Sequence, residues 1–176
     1  MEAVGYDMYI KLLEEAVLEE KGEQKKPRED CAVTVKADAY LPKGYIKDGA
    51  QRMEMYRKIA RIQVEDDFSD MIDELCDRFG EPPRAAMNLC RIALVRGLGI
   101  TAGMKKIEER ERELLLTSPA PDLTAVRKLA EKHPGMIRMT LGQMPAITVK
   151  KQKGMQVADF LSDLLTEYIQ LTAENV

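Results

Sequence analysis

The chain has 176 residues, a formal net charge of −3, 45% hydrophobic residues and 32% charged ones. That length suits one domain able to bury roughly 70% of its unfolded surface, and the acidic balance argues against a surface built to wrap nucleic acid. Trp is absent, aromatics are 5% and Met numbers 11, so the expected core is aliphatic and Met-rich.

Three cysteines (Cys31, Cys76, Cys90) and one histidine, His133, show no metal-ligand spacing. An odd number of scattered thiols suits a reducing cytosol. No apolar run has the length of a membrane span, and the start has no signal-peptide pattern. The expected location is cytoplasmic.

In chain order, Tyr6 to Glu20 reads as a helix, with Tyr9, Leu12, Leu13, Ala16 and Val17 at helical spacing. The polar stretch from Lys21 to Asp30 ends it. Cys31 to Tyr40 alternates apolar and polar residues, the pattern of a half-buried strand. Leu41 to Ile46 is expected to stay extended, because Pro42 pushes the residue before it out of the helical region. A second helix starts at Asp48, where Asp48 and Gln51 have capping-box spacing.

A third helix is expected from Asp67 to Phe79. Phe68, Met71, Ile72, Leu75, Cys76 and Phe79 make its apolar face, and Gly80 with Pro82-Pro83 closes it. Pro83 opens a fourth helix, apolar nearly all round and so central and buried, which Gly97, Gly99 and Gly103 break. Lys105 to Glu113 has helical composition, and Leu114 to Leu116 fits either state.

Asp122 caps a helix ending at Pro134-Gly135. Ile137 to Val149 forms a hairpin around Gly142 to Pro145. The last helix carries Val157, Phe160, Leu161, Leu164, Leu165 and Tyr168. The expected class is α+β: one compact domain, 1–176, with helices packed around a small antiparallel sheet built from the Cys31–Tyr40 strand and the later hairpins.

No phosphate loop is present, since Gly99 and Gly103 are one residue too close and Met104 precedes the lysines. His133, beside Pro134-Gly135, is expected to meet carbonyls at a helix end. Cys76 and Cys90 read as inert core thiols. No catalytic, cofactor-binding or metal-binding residue is therefore expected. Arg84, Asn88 and Arg91 share a polar stripe, with Arg96 beyond. The absence of interleaved aromatics argues against a nucleic-acid groove there.

One feature resists a bland reading. Asp70, Asp73, Glu74 and Asp77 share one face of the third helix. Like charges at these spacings destabilise a helix by roughly 0.2–0.5 kcal/mol per pair, and Asp77 sits in the last turn, where the helix dipole disfavours an anion. Either the stripe is a solvated face, relieved by Arg57, Lys58 or Arg61, or it is a docking surface for a basic partner.

Several stretches resemble the C-terminal domain of bacterial transcription-repair coupling factors. They are Gly5–Val17, Ala39–Ile46, Gln51–Ala60, Asp73–Pro83 and Leu98–Ile100, and their order and spacing match as well. The resemblance implies a regulatory domain of a larger ATP-driven DNA translocase of helicase superfamily 2, one that displaces stalled RNA polymerase and recruits the damage sensor UvrA. It implies that this domain clamps an N-terminal module resembling UvrB and competes with UvrA for it. It places the acidic clamp residues in the segment of Glu74 and Asp77, with Asp70 and Asp73 on the same stripe. Cys76 departs from the family, which more often has an aliphatic residue there. An alternative of another class is direct binding of DNA or RNA polymerase.

Overall fold

The structure, a computed structural model, describes residues 30–174. The expected helix over Tyr6 to Glu20 lies outside the described residues. Two compact units divide the chain, Lys36–Gly97 in one and Asp30–Val35 with the residues from Leu98 onward in the other.

The first unit begins with an irregular segment, and the run after Pro42, expected to be extended, turns back instead: the amides of Tyr45 and Ile46 donate to the Pro42 carbonyl at 3.0 and 3.1 Å. Leu41 and Ile46 anchor it in the core, and the Leu41 amide donates to the Tyr56 hydroxyl at 2.8 Å. Helix α1 (Gly49–Ile59) starts where Asp48 accepts from the Gln51 amide at 2.8 Å, one half of the expected capping box. Its buried side chains are Met55, Tyr56 and Ile59.

Helix α2 (Glu65–Phe79) starts two residues earlier than the spacing predicts. Oδ2 of Asp67 reaches back to accept from the amides of Gln63 and Val64, at 2.9 and 3.2 Å. Glu65, Asp66 and Asp67 in the first turn complement the positive end of the helix dipole. Gly80 closes α2 at φ 84°, where L side chains are strained.

Helix α3 (Arg84–Thr101) is the expected buried helix, but two of its three glycines do not break it. It runs through Gly97 and Gly99 and stops before Gly103, whose φ is 70°. Close packing is the reason. A Cβ on Gly97 would lie 2.5 Å from Cα of Gln63, in the first unit. In the second unit a Cβ on Gly99 would lie 2.7 Å from Sγ of Cys31.

Among the described residues the second unit holds a five-stranded sheet in the order β1-β2-β3-β5-β4. Its strands are β1 (Ala32–Thr34), β2 (Lys106–Glu109), β3 (Glu113–Thr117), β4 (Ile137–Thr140) and β5 (Ala146–Lys150). The α+β class holds, but the sheet is mixed. β1 runs parallel to β2, with Val33 opposite Ile107, and the remaining pairs are antiparallel. The Cys31–Tyr40 alternation yields only three strand residues, each in register with a residue of β2.

Where composition left Lys105–Thr117 open, the chain forms a β2–β3 hairpin. Pairing across it places Ile107 opposite Leu116 and Glu109 opposite Leu114. The β4–β5 hairpin is where the spacing predicts it. Helices α4 (Leu123–Lys132), capped by Asp122, and α5 (Val157–Ala173) pack on each other, and α4 also packs on β4. Among the described residues no helix is long and apolar enough to cross a membrane.

Candidate functional site: the acidic face of α2

The position of the acidic stripe follows from the core face of α2. At about 100° per residue, Phe68, Met71 and Leu75 fall within one narrow sector and are the buried residues. Ile72 and Phe79 flank that sector and are half-buried. Cys76 lies a quarter-turn away and is exposed, so the expectation of a core thiol is wrong for Cys76. It holds for Cys90, whose thiol burial pushes up to about 12.

The C-terminal end of α2 is held by Tyr45. Its hydroxyl lies 2.7 Å from the Gly80 carbonyl and 3.1 Å from that of Leu75, while its ring meets Phe79 edge-on at 6.0 Å. Burial, with lesser contributions from Cys76 and Cys90, raises this phenol to about 12. The last turn, and Asp77 with it, is therefore fixed in place.

Opposite the core sector stand Asp70, Asp73 and Asp77, all exposed. Among the described residues none of the three has an ion pair. Glu74 behaves differently. Its Oε1 lies 2.6 Å from Nζ of Lys58 on α1 and 2.9 Å from Nη1 of Arg78 one turn on. Glu54 completes the square, 3.5 Å from Lys58 and 3.1 Å from Arg78. The hydrogen bond from Lys58 is the chief reason that the Glu74 carboxyl sits below its usual range, and Glu74 in turn raises Lys58.

The four stripe residues thus share a side of the helix but not an environment. Among the described residues three carboxylates have no counter-ion, and the fourth knits α1 to α2. Of the basic residues expected to relieve the stripe, Lys58 does so. Arg61 lines a shallow hollow of about 210 Å3 beside Asp70 and Glu74. Arg78 escaped notice, although a Glu four residues before an Arg on one helix is a readable signal.

The arginine stripe of α3 is engaged within its own unit. Arg91 pairs with Glu65 at 3.1 Å and stacks 3.9 Å over the Phe68 ring, and Asn88 donates to the Asp38 carbonyl at 2.9 Å. His133 does not turn to the helix carbonyls as expected. Its Nε2 lies 2.7 Å from Oε2 of Glu167 on α5, a stronger charge-assisted partner. Among the described residues no group of three or more His, Cys, Asp or Glu side chains could hold a metal ion.

A family model described as the TRCF domain matches residues 35–129. A transcription-repair-coupling factor from Staphylococcus epidermidis is 30% identical over 171 residues, which is 94% of this chain and 15% of that protein. One from Bacillus subtilis is 34% identical over 94 residues, covering 53% of this chain and 8% of its own length. The chain thus spans a small fraction of the curated relatives it matches.

The crystal structure of the C-terminal domain of a transcription-repair coupling factor superposes with a TM-score of 0.68 at 20% identity. It covers 86% of this chain and 99% of its own, which is a likeness of fold. The family match spans more than half of the sequence, the acidic helix included, and the chain belongs to the TRCF domain family of transcription-repair coupling factors.

Proposed function

We propose that this chain is a C-terminal regulatory docking domain of a longer protein, and that Asp70, Asp73 and Asp77, with Glu74 beside them, clamp a basic surface. The partner in this reading is an N-terminal module of the same protein resembling UvrB, and closure masks the surface to which UvrA binds. The parent protein is then an ATP-driven DNA translocase that displaces stalled RNA polymerase in the cytoplasm. The domain itself contributes neither catalysis nor a cofactor.

The observation that carries the reading is the set of three exposed carboxylates with no ion pair among the described residues. Their mutual repulsion gives the helix nothing, whereas facing cations on a partner turn it into attraction. Fixed on a helix tied down at both ends, they are preorganised, which lowers the ordering cost of docking.

The rival reading is direct contact of the α3 arginines with DNA or polymerase. It loses its best side chain, because Arg91 is already paired with Glu65 and stacked on Phe68.

The test is capture of UvrA by the full-length protein without polymerase. Asp73→Asn with Asp77→Asn leaves the Glu74 network intact and is expected to open the clamp and raise capture. Removing one side of a desolvated charge pair costs about 2–5 kcal/mol at an interface, enough to move a closed equilibrium well toward open. Capture no greater than that of the unsubstituted protein, with normal folding, would sink the reading.

A further inference from the structure

The second unit carries a charged surface of the opposite sign, assembled from the β2–β3 turn and the β4–β5 hairpin. Arg112 lies in the turn between β2 and β3, Arg138 on β4, and Lys150 and Lys153 at the end of β5 and just beyond it. Two backbone hydrogen bonds hold the segments together. The Lys150 amide donates to the Met136 carbonyl at 2.8 Å, and the Lys151 amide donates to the Arg112 carbonyl at 2.9 Å.

Strand parity sends the charges outward. Ile147 and Val149 are buried beside Leu116 and Leu114. Lys150, and Arg138 opposite Thr148, therefore point from the other face of the sheet. There the four cations line an open groove of about 700 Å3.

The charges within this groove do not cancel. Lys151 is spoken for by Glu109 at 2.5 Å, and Glu113 is partnered by Arg110 at 3.8 Å. Arg112, Arg138, Lys150 and Lys153 are exposed and have no ion pair among the described residues. Glu111 is the one lining acid left to oppose them.

Chemistry narrows the ligand. No lining residue has an apolar side chain, so the groove lacks the buried anchors on which a stable protein interface depends. It has no aromatic ring for bases to stack on, as single-stranded nucleic acid prefers. What it offers is a cluster of guanidinium and ammonium donors, which suits the phosphates of a polyanion.

We infer that this groove holds the phosphodiester backbone of duplex nucleic acid, without reading its sequence. None of its residues lies on α2, so the inference stands or falls apart from the clamp. Four phosphate contacts give a weak site, on the order of 10⁻⁴–10⁻⁶ M at physiological salt, in keeping with the chain's net negative charge.

The experiment is fluorescence anisotropy of a labelled random-sequence duplex DNA titrated with the 176-residue chain across a range of salt. The expected slope of log K against log salt is about −3.6, a loss of roughly 150-fold between 50 and 200 mM. Arg112→Gln, Arg138→Gln and Lys150→Gln should each weaken binding alike for all sequences and reduce the slope by about one. Arg84→Gln on α3 should change neither. Circular dichroism establishes that each variant folds, and three separate variants keep the test alive if one does not. Absence of binding at about 50 mM salt, or a slope untouched by all three substitutions, overturns the inference. So does polyglutamate that competes as well as unlabelled DNA of equal charge, since the groove would then serve an acidic protein.

Discussion

Nζ of Lys58 lies 2.6 Å from Oε1 of Glu74, and this contact divides the carboxylates of α2 into two kinds. Glu74 belongs to the packing of α1 on α2. Asp73 and Asp77 are exposed and have no ion pair among the described residues.

The division predicts opposite effects within one stripe. Glu74→Gln should lower stability by about 0.2–1 kcal/mol, as loss of a partly exposed ion pair does. Asp77→Asn should leave it unchanged or raise it by a few tenths of a kcal/mol. A double-mutant cycle with Lys58→Met, followed by urea unfolding, separates the two: coupling is expected with Glu74 and not with Asp77. Equal coupling to both would mean that the square of Glu54, Lys58, Glu74 and Arg78 does not form in solution.

Core truncations on α2 should differ in a graded way. Leu75 is fully buried, and Leu75→Ala should cost about 2–5 kcal/mol. Phe79 is only half-buried, so Phe79→Ala should cost less than Leu75→Ala. Urea midpoints in the reverse order would place the buried sector of the helix around Phe79 instead.

Gly97→Ala should destabilise α3 even though Ala is the better helix former by about 1 kcal/mol. The added methyl meets the backbone of Gln63 at 2.5 Å, and backbone does not step aside. Gly99→Ala meets side chains, Sγ of Cys31 at 2.7 Å and Cδ1 of Ile107 at 3.0 Å. Replacing Cys31 by Ala should therefore recover part of the Gly99→Ala loss, a non-additive pair. Melting temperatures that simply add would show that Cys31 is not the obstacle.

Acid should weaken the contact between α4 and α5. Burial pushes the Glu167 carboxyl up, but hydrogen bonds from His133 and Lys132 outweigh it and leave the group below 4.5. A carboxyl lowered in the folded state contributes stability above its unfolded pKa and loses it as pH falls through the folded value. Thermal melts should therefore drop as pH falls below about 4.5, and Glu167→Gln should flatten that limb. An identical acid limb in the variant would assign the loss to other carboxyls, of which Glu54, Glu74 and Glu108 are also lowered.

Periodicity made α2 legible because three core contacts at helical spacing fix a face, and the acidic stripe followed as its complement. The same reasoning overreached at Cys76, since the buried sector is narrower than the apolar one. Glycine misled at Gly97 and Gly99: in sequence they look like helix breakers, whereas their role is to admit Gln63 and Cys31. The β2–β3 hairpin was ambiguous because its charged residues favour a helix locally, and only pairing with β1 and β5 decides otherwise. The basic groove could not be read at all. Arg138 and Lys150 share the β4–β5 hairpin, but Arg112 is remote in the chain, and only the pairing of β3 with β5 brings it beside them.

The parallel pairing of Ala32 with Lys106 closes a loop of about seventy residues, while the β2–β3 and β4–β5 hairpins close over a few. In kinetic terms β1 is the costliest contact of the sheet to form, and local hairpins precede it. Among the described residues it is an edge strand held by three registered pairs, so it is expected to open first. Native-state hydrogen exchange should show the Ala32 amide, bonded to the Lys105 carbonyl at 3.0 Å, exchanging through a smaller opening than the amide of Leu116. That outcome would give the sheet a durable four-stranded body and a late, reversible fifth strand.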